Sequence, residues 1–179
     1  FIIGQSSNQG NFFFFFIIND ICGGELDPEM FSTAADLQVP YILMHMRGTP
    51  QNMQQKVDYA DFMGEVMLYF SEKIRQLNEL GVNDVILDPG FGFSKTLNQS
   101  YELMARMNEF RLFDMPLLVG ISRKSMIYRL LDTDPSESLN GTTVLNTFAL
   151  QHGADILRVH DVKQAVEAIR IIGKLSNIQ

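Results

Sequence analysis

One aspartate stands at a point of the sequence where its carboxylate could bind a ligand. Residues 88–93 read Asp-Pro-Gly-Phe-Gly-Phe, and the apolar run Val-Ile-Leu at 85–87 precedes them. This pattern predicts a buried strand that ends at Asp88, followed by a glycine-rich turn and a helix. Parallel α/β folds bind their ligands at the carboxyl ends of strands, so Asp88 is a candidate binding residue. By itself, an Asp before Pro-Gly more often forms a tight turn by bonding its own backbone.

Four other apolar runs also end in polar side chains, which are candidates for the same site. These side chains are Asn19, His45 with Arg47, Ser122 with Lys124, and Arg158 with His160. If all five strands are parallel, the side chains gather with Asp88 at one rim. One carboxylate, one amide and several cations suit a polar heterocycle that carries a phosphate-like anion. A carboxylate accepts two parallel N–H bonds from an aminopyrimidine edge, and a guanidinium binds phosphate in a fork or stacks on a ring.

Each position also has a purely structural interpretation. Asn19 could belong to an Asx turn, and His45, between two methionines, could be a buried core residue. Residues 122–124 could be a solvated helix start, and residues 158–160 could make a surface ion pair of little energetic value. Five such strand ends together are harder to explain structurally than any single one, which favours a binding site.

The elements that must position these residues alternate between strand and helix. Strands are predicted at about 13–18, 41–44, 85–87, 117–119 and 156–159. Helices are predicted at about 28–37, 57–80, 98–110, 142–153 and 162–175, with a short helix after residue 125. The alternation indicates a parallel sheet covered by helices, either a doubly wound sheet or part of an eight-unit barrel. A complete barrel needs about 250 residues, so this chain of 179 would lack about three units at its N-terminus.

Composition narrows the range of partners and compartments. The net charge of −7 argues against nucleic acid as the main partner, so an anion site must use local cations or helix N-termini. The single cysteine, Cys22, excludes an internal disulfide and a cysteine zinc site, which suits the reducing cytoplasm. No stretch has the roughly 20 apolar residues of a membrane span, so no membrane partner is expected.

The strand-end motifs, in this order, resemble dihydropteroate synthase, a folate-pathway transferase with a (β/α)8 barrel. The resemblance covers about residues 17–175. It rests on Ile-Asn-Asp at 18–20, Leu-Met-His-Met-Arg-Gly at 43–48, residues 88–96, Gly-Ile-Ser-Arg-Lys-Ser at 120–125 and Leu-Arg-Val-His-Asp at 157–161. It implies an α/β fold, a partial TIM-type barrel with five βα units, in which residues 17–179 form a single incomplete pterin-binding domain. The family's loops after its first two strands, and its third-strand Asp, have no counterpart in this chain.

The resemblance implies an enzyme that joins 6-hydroxymethyl-7,8-dihydropterin pyrophosphate to p-aminobenzoate and releases pyrophosphate. The implied pterin-binding residues are Asn19, Met44, Asp88, Phe93, Lys124 and Arg158. Arg158 and His160 would bind the pyrophosphate, and Ser122 would lie near the aminobenzoate. Lys124, Arg158 and His160 would be the catalytic residues. Mg²⁺ is implied as a cofactor, with no ligand assigned in this chain because the family's metal-side Asn has no counterpart here, and a full-length member is expected to be a homodimer.

Two other functions stay open from the sequence. A pterin-binding methyltransferase module would share the barrel and the Asp/Asn pocket, but the motifs at 122–125 and 158–160 suit a pyrophosphate substrate better. A non-enzymatic remnant would retain pterin affinity at most. Residues 1–16 include five consecutive Phe residues and resemble nothing in the family, so we hypothesise an out-of-frame or disordered lead. The chain as written is expected to be inactive alone and poorly soluble or oligomeric; a monodisperse monomer that turns over substrate would contradict this.

Overall fold

Five parallel strands, neighbours in space in the order of the chain, form the frame of the fold. The computed structural model describes residues 16–176. The strands are β1 (Ile18–Asp20), β2 (Tyr41–Met44), β3 (Val85–Asp88), β4 (Leu118–Val119) and β5 (Ile156–Leu157). β1, β2 and β3 pair in parallel, and so do β4 and β5. A parallel bridge between Leu87 and Leu117 joins the two groups, and the Leu87 N–H donates to the Pro116 carbonyl at 2.9 Å.

The strand order decides between the two architectures that the sequence left open. A doubly wound sheet reverses its strand order at a switch point within the sheet. Here the order β1-β2-β3-β4-β5 runs in one direction across the described residues, as it does in successive units of a (β/α)8 barrel. The predicted fold class, an α/β fold with five units of a TIM-type barrel, is confirmed.

Helices connect the strands and cover the sheet. Those in the described part of the chain are α1 (Met30–Leu37), α2 (Phe62–Glu79), α3 (Leu97–Ala105), α4 (Ser125–Tyr128), α5 (Leu139–Gln151) and α6 (Val162–Ser176), with 3-10 helices at Met53–Gln55 and Met107–Phe113. Asp61 caps α2 by accepting from the Gly64 N–H at 3.1 Å, and Thr96 and Gln99 form a capping box before α3. Among these helices of residues 16–176, none combines the length and apolar character needed to cross a bilayer.

The predicted boundaries differ from the structure mainly at helix ends. β2 has the predicted bounds, whereas residues 13–15 of the first predicted strand lie outside the described residues. The helix predicted from residue 57 begins only at Phe62, because the chain is extended at its capping residue Asp61. The helix predicted to run to residue 110 ends at Ala105 and continues as 3-10 turns. β5 ends at Leu157, although the Arg158 N–H still donates to the Val119 carbonyl at 2.9 Å.

The core lies between the sheet and the helices and fixes the carboxyl ends of the strands. All residues of β2 are 4% exposed or less, as expected for a parallel strand that is covered on both faces. Phe70 of α2 is fully buried and meets Phe110 edge to face, with ring centroids 5.5 Å apart. A smaller apolar cluster of Cys22, Met44 and Met46, with Phe93 against it, lies where β2 ends. The predicted site residues therefore lie at strand ends that are held in place by closely packed core side chains.

Candidate functional site

Asp88 is the last residue of β3 and lies at the centre of the candidate site. Its side chain is only 1% exposed. One carboxylate oxygen, Oδ1, accepts a hydrogen bond from the Gly90 N–H at 2.9 Å, so the turn itself orients the carboxylate. A buried carboxylate needs such partners, because removing a charge from water is costly unless it is paired and hydrogen-bonded.

Arg158, which follows β5, reaches across the rim to Asp88. Its Nη2 donates to Asp88 Oδ2 at 2.7 Å, and its Nη1 lies 3.5 Å from the side-chain oxygen of Asn19 in β1. The guanidinium passes directly over Gly120, where an added Cβ would lie 2.7 Å from Nη2. A side chain at that position would displace the guanidinium from its present place. The structure thus brings three predicted residues, from β1, β3 and the segment after β5, into one hydrogen-bonded group.

Lys124 lies beside this group, on the segment that follows β4. Its ammonium donates to the Phe91 carbonyl at 2.6 Å and stands 4.6 Å from the centre of the Phe93 ring. Burial lowers the pKa of Lys124 to about 8; the positive charge of Arg158 adds to this effect, and the carboxylate of Asp88 opposes it. Lys124 is therefore a cation at neutral pH that gives up its proton more readily than an exposed lysine.

Ser122 and His160 form a second pair at the rim. The Ser122 hydroxyl accepts from the His160 backbone N–H at 3.2 Å and lies 3.1 Å from Nδ1 of its ring. Since the hydroxyl oxygen already accepts one bond, its own proton can be donated to Nδ1. That arrangement leaves Nε2 as the protonated nitrogen, available to donate to an anion. Ser122 is buried, so the structure shows it as the residue that orients His160.

Met44 and Phe93 provide an apolar surface next to the charged groups. Met44 is fully buried in the cluster at the end of β2, and Phe93 packs against that cluster while its ring faces Lys124. A flat ring could therefore contact apolar side chains while its polar edge reaches Asp88. Such a combination of apolar lining and a few convergent polar groups is typical of small-molecule sites.

Comparisons with known proteins identify the family. The family described as "Pterin binding enzyme" matches residues 9–160 of the chain. The chain belongs to the pterin-binding enzyme family. The match begins before Ile17, so it also takes in residues 9–16, for which the sequence suggested no counterpart.

Several similar members of the pterin-binding enzyme family are dihydropteroate synthases. The enzyme of Escherichia coli K12 is 47% identical over 158 residues, which are 87% of this chain and 56% of that enzyme. The Synechocystis enzyme is 42% identical over 162 residues, 89% of this chain and 56% of its own. This chain thus spans little more than half the length of these relatives. The resemblance to dihydropteroate synthase is confirmed.

Solved structures of the same family have the same fold. The Yersinia pestis dihydropteroate synthase in a sulfonamide complex matches with a TM-score of 0.87 and 40% identity, covering 91% of this chain and 60% of its own. The Thermus thermophilus enzyme in complex with 4-aminobenzoate matches with a TM-score of 0.85 and 35% identity, covering 89% of this chain and 66% of its own. The described strands and helices are therefore those of a dihydropteroate synthase barrel.

Three polar residues near the rim have structural contacts within the described part of the chain. His45 was expected at the rim, but it is a buried core residue whose Nδ1 lies 2.9 Å from Lys95. Arg47 pairs with Glu65 and lies over the Tyr59 ring. Arg123 forks onto Asp161 with two bonds of 2.9 Å. These side chains pair within the protein because a neighbouring segment supplies each with a partner, a donor for His45 and a carboxylate for each arginine.

Two contributors to the rim were missed from the sequence. Gly120 leaves space for the Arg158 guanidinium, and the buried Lys95 donates hydrogen bonds to two backbone carbonyls of the glycine-rich turn. A glycine directly after an apolar run was a usable signal for a close approach. No sequence signal marks Lys95 as buried, because lysine is usually exposed.

The described residues do not form a metal site of their own. Across residues 16–176, no group of three or more His, Cys, Asp or Glu side chains is arranged to hold a metal ion. Asp88, the carboxylate at the centre of the rim, is already paired with Arg158. The donors present here therefore do not fit a protein-held Mg²⁺.

Proposed function

We propose that the chain acts in folate biosynthesis as a dihydropteroate synthase, joining 6-hydroxymethyl-7,8-dihydropterin pyrophosphate to p-aminobenzoate and releasing pyrophosphate. The observation that carries the proposal is the buried Asp88 carboxylate bonded to the Arg158 guanidinium, with Lys124 beside them. Because the chain covers 56% of the Escherichia coli enzyme, the complete reaction is part of the proposal rather than a property of the described residues.

The pterin is proposed to occupy the place that the Arg158 guanidinium holds at Asp88. A guanidinium and the aminopyrimidine edge of a pterin both present two parallel N–H groups to a carboxylate. Asn19 would complete the contacts to the pterin edge, and Lys124 would donate to its carbonyl oxygen. Met44 and Phe93 would line the ring. Arg158, once displaced, would stack on the pterin face, which its planar guanidinium allows.

The leaving pyrophosphate is proposed to bind Arg158 and His160. His160, held by Ser122 through Nδ1, would donate from Nε2, and the guanidinium would bind the anion in a fork. Stabilising the departing anion lowers the barrier to C–O cleavage without a protein nucleophile. The aminobenzoate amine would then attack the pterin methylene cation, on an SN1-like path, from a position near Ser122. The new C–N bond would be completed by loss of one amine proton to the released pyrophosphate. Holding the aminobenzoate in line with the methylene would raise the rate through positioning.

Mg²⁺ is also part of the proposal, although residues 16–176 contain no group of side chains arranged to hold it. Magnesium in such sites is bound by one or two carboxylates together with substrate phosphates and waters. The pyrophosphate would therefore supply much of its coordination, and the ion would help to neutralise the leaving group. No step of the reaction is assigned to a metal ligand among residues 16–176.

A homodimer and a cytoplasmic location are further parts of the proposal. Helix α6 exposes Val162, Val166 and Ile169, spaced four and three residues apart, while Ala165 and Ala168 of the same helix are buried. An exposed apolar stripe of this kind supports an association surface, and a monomer in sedimentation velocity would contradict it. The lone cysteine supports a reducing compartment, which cell fractionation would test.

Calorimetric binding to the purified chain tests the proposal. The probes are 6-hydroxymethyl-7,8-dihydropterin pyrophosphate, inorganic pyrophosphate and cobalamin. We expect the first two to bind and cobalamin not to bind. His160→Gln should weaken pyrophosphate binding by roughly five- to tenfold, as expected for the loss of one hydrogen bond worth about 1–1.4 kcal/mol. The matched control is His152→Gln, because His152 stacks on Phe148 at the end of α5, away from the rim.

The outcomes separate the three functions that the sequence left open. Binding of cobalamin without pyrophosphate would favour a pterin-dependent methyltransferase. Binding of the pterin pyrophosphate by this chain without turnover would favour a non-enzymatic remnant. Binding of neither probe, or equal loss in both histidine variants, would contradict the proposed site.

A further inference from the structure

Lys95 is a buried lysine behind the rim, and the reaction proposed above gives it no contact with substrate. Burial holds the pKa of Lys95 well below its usual value. Its side chain is 4% exposed. Its ammonium donates to the Gly90 carbonyl at 3.1 Å and to the Phe93 carbonyl at 3.0 Å. On its other side, the ammonium lies 2.9 Å from His45 Nδ1 and 3.3 Å from the His45 carbonyl oxygen. One side-chain nitrogen therefore joins the end of β2 to two points of the glycine-rich turn.

The backbone conformation of the turn explains why its carbonyls need hydrogen-bond donors from side chains. Gly90, Gly92 and Ser94 have φ values of +69°, +78° and +45°, a conformation that neither pairs with a strand nor continues a helix. Buried carbonyls in such a segment need donors from elsewhere, because an unpaired buried carbonyl costs free energy. Lys95 supplies donors to two of them. The Tyr59 hydroxyl supplies another, to the Ser94 carbonyl at 2.9 Å.

The tied segment carries the groups that place Lys124 and line the ligand site. The Phe91 carbonyl accepts from Lys124, and the Phe93 ring stands 4.6 Å from the same ammonium. Phe91 lies between the two residues whose carbonyls accept from Lys95, and Phe93 is itself one of those residues. A shift of either carbonyl would therefore move the ring surface and the Lys124 ammonium together.

We propose that Lys95, with His45 as its partner at the end of β2, is a positioning residue for the pterin slot. The inference rests on the proposed function, since it assigns Lys95 the task of holding Phe93 and Lys124 where a pterin would meet them. Burial, together with the positive charges of Lys95 and Arg47, holds the pKa of His45 well below its usual value. The ring is therefore neutral, and its Nδ1 can accept a hydrogen bond from the Lys95 Nζ.

Substitution of the ammonium by an uncharged side chain of similar length tests the inference. The probes are 6-hydroxymethyl-7,8-dihydropterin, which lacks the anion, and inorganic pyrophosphate, and the readout is the affinity for each. Lys95→Met should bind the pterin at least tenfold more weakly and pyrophosphate within twofold of the unmodified chain. The control is Lys73→Met, since Lys73 is also largely covered but pairs with Glu25 away from the turn. It should leave both affinities within twofold.

A pair of variants at His45 keeps the test decisive if Lys95→Met does not fold. His45→Gln retains an oxygen that can accept from Lys95 and should bind the pterin within twofold of the unmodified chain. His45→Leu retains none and should bind it at least fivefold more weakly.

Three results would overturn the assignment. They are unchanged pterin affinity in a folded Lys95→Met variant, equal affinities in the two His45 variants, and equal loss of pterin and pyrophosphate binding. If the unmodified chain bound neither probe, the proposed function would fail instead.

Discussion

Replacing Asp88 by asparagine removes one charge from the centre of the rim while keeping its shape. The asparagine oxygen can still accept from the Gly90 N–H, which now bonds Oδ1 at 2.9 Å. The second oxygen, which bonds Arg158 at 2.7 Å, becomes an NH₂ group that cannot accept from a pterin edge. A hydrogen bond to a charged group contributes about 1.5–3 kcal/mol. The loss of this bond and of the charge should weaken pterin binding by about 2–3 kcal/mol, or roughly 30- to 150-fold.

The same change should have little effect on folding stability. Arg158 is 40% exposed, so its guanidinium stays hydrated when its partner is neutral. The neutral amide also relieves the desolvation of a carboxylate that is 1% exposed. These effects oppose each other, and the free energy of unfolding should change by less than about 1 kcal/mol.

Fluorescence titration with 6-hydroxymethyl-7,8-dihydropterin and urea unfolding measure the two quantities. The matched control is Asp84→Asn, the same substitution at the opposite, exposed end of the segment that forms β3. It should bind the pterin as the unmodified chain does. Binding by Asp88→Asn within threefold of the unmodified chain would refute the role given to the carboxylate. So would a loss that merely follows a large drop in stability.

Two further predictions concern the turn and Lys124. Gly90→Ala should lower the free energy of unfolding in urea by at least roughly 3 kcal/mol, because its Cβ would lie 2.1 Å from the His45 carbonyl oxygen. Gly81→Ala, with a similar positive φ but nothing within 4 Å, should cost only about 1–2 kcal/mol, and equal costs would contradict the steric argument. Since the folded pKa of Lys124 is about 8 against an ordinary 10.5, pterin affinity should fall as pH rises above about 8, because the proposed donor to the pterin carbonyl loses its charge. The Lys124 contribution to stability should increase between pH 8 and 10.5. A Lys124→Met variant should lack both changes in pH titrations; their persistence would exclude Lys124 as their source.

Much of the fold follows from patterns that are local in the sequence. The run Tyr-Ile-Leu-Met at 41–44 is β2 with the predicted bounds, and Asp88 ends β3 as its place after Val-Ile-Leu predicts. Helix ends are less predictable, since α2 begins where Asp61 caps it and not where the apolar pattern begins. A helix propensity extends over several residues, whereas a cap is one hydrogen bond made by one side chain.

The pairing of the candidate residues was less accessible from the sequence than their identity. Ser122 and His160 were both predicted at the rim, but their bond joins residues that are 38 apart in the chain. His45 stands in a similar strand-end position to Asp88, and it is Lys95 that makes it a core residue. Residue type and strand position cannot distinguish these cases, because the distinction depends on which partner a neighbouring segment supplies.

By itself, the sequence determined the alternation of strand and helix and the polar residues at the strand ends. It did so because apolar periodicity and turn residues act over a few neighbouring positions. Only the tertiary structure decided that the strands follow one another in barrel order and that Arg158 closes onto Asp88 across 70 residues. It alone decided that Lys95 is buried beneath the turn. Such contacts depend on the packing of the whole sheet, since a buried polar or charged group is stable only where the fold places its hydrogen-bond partners.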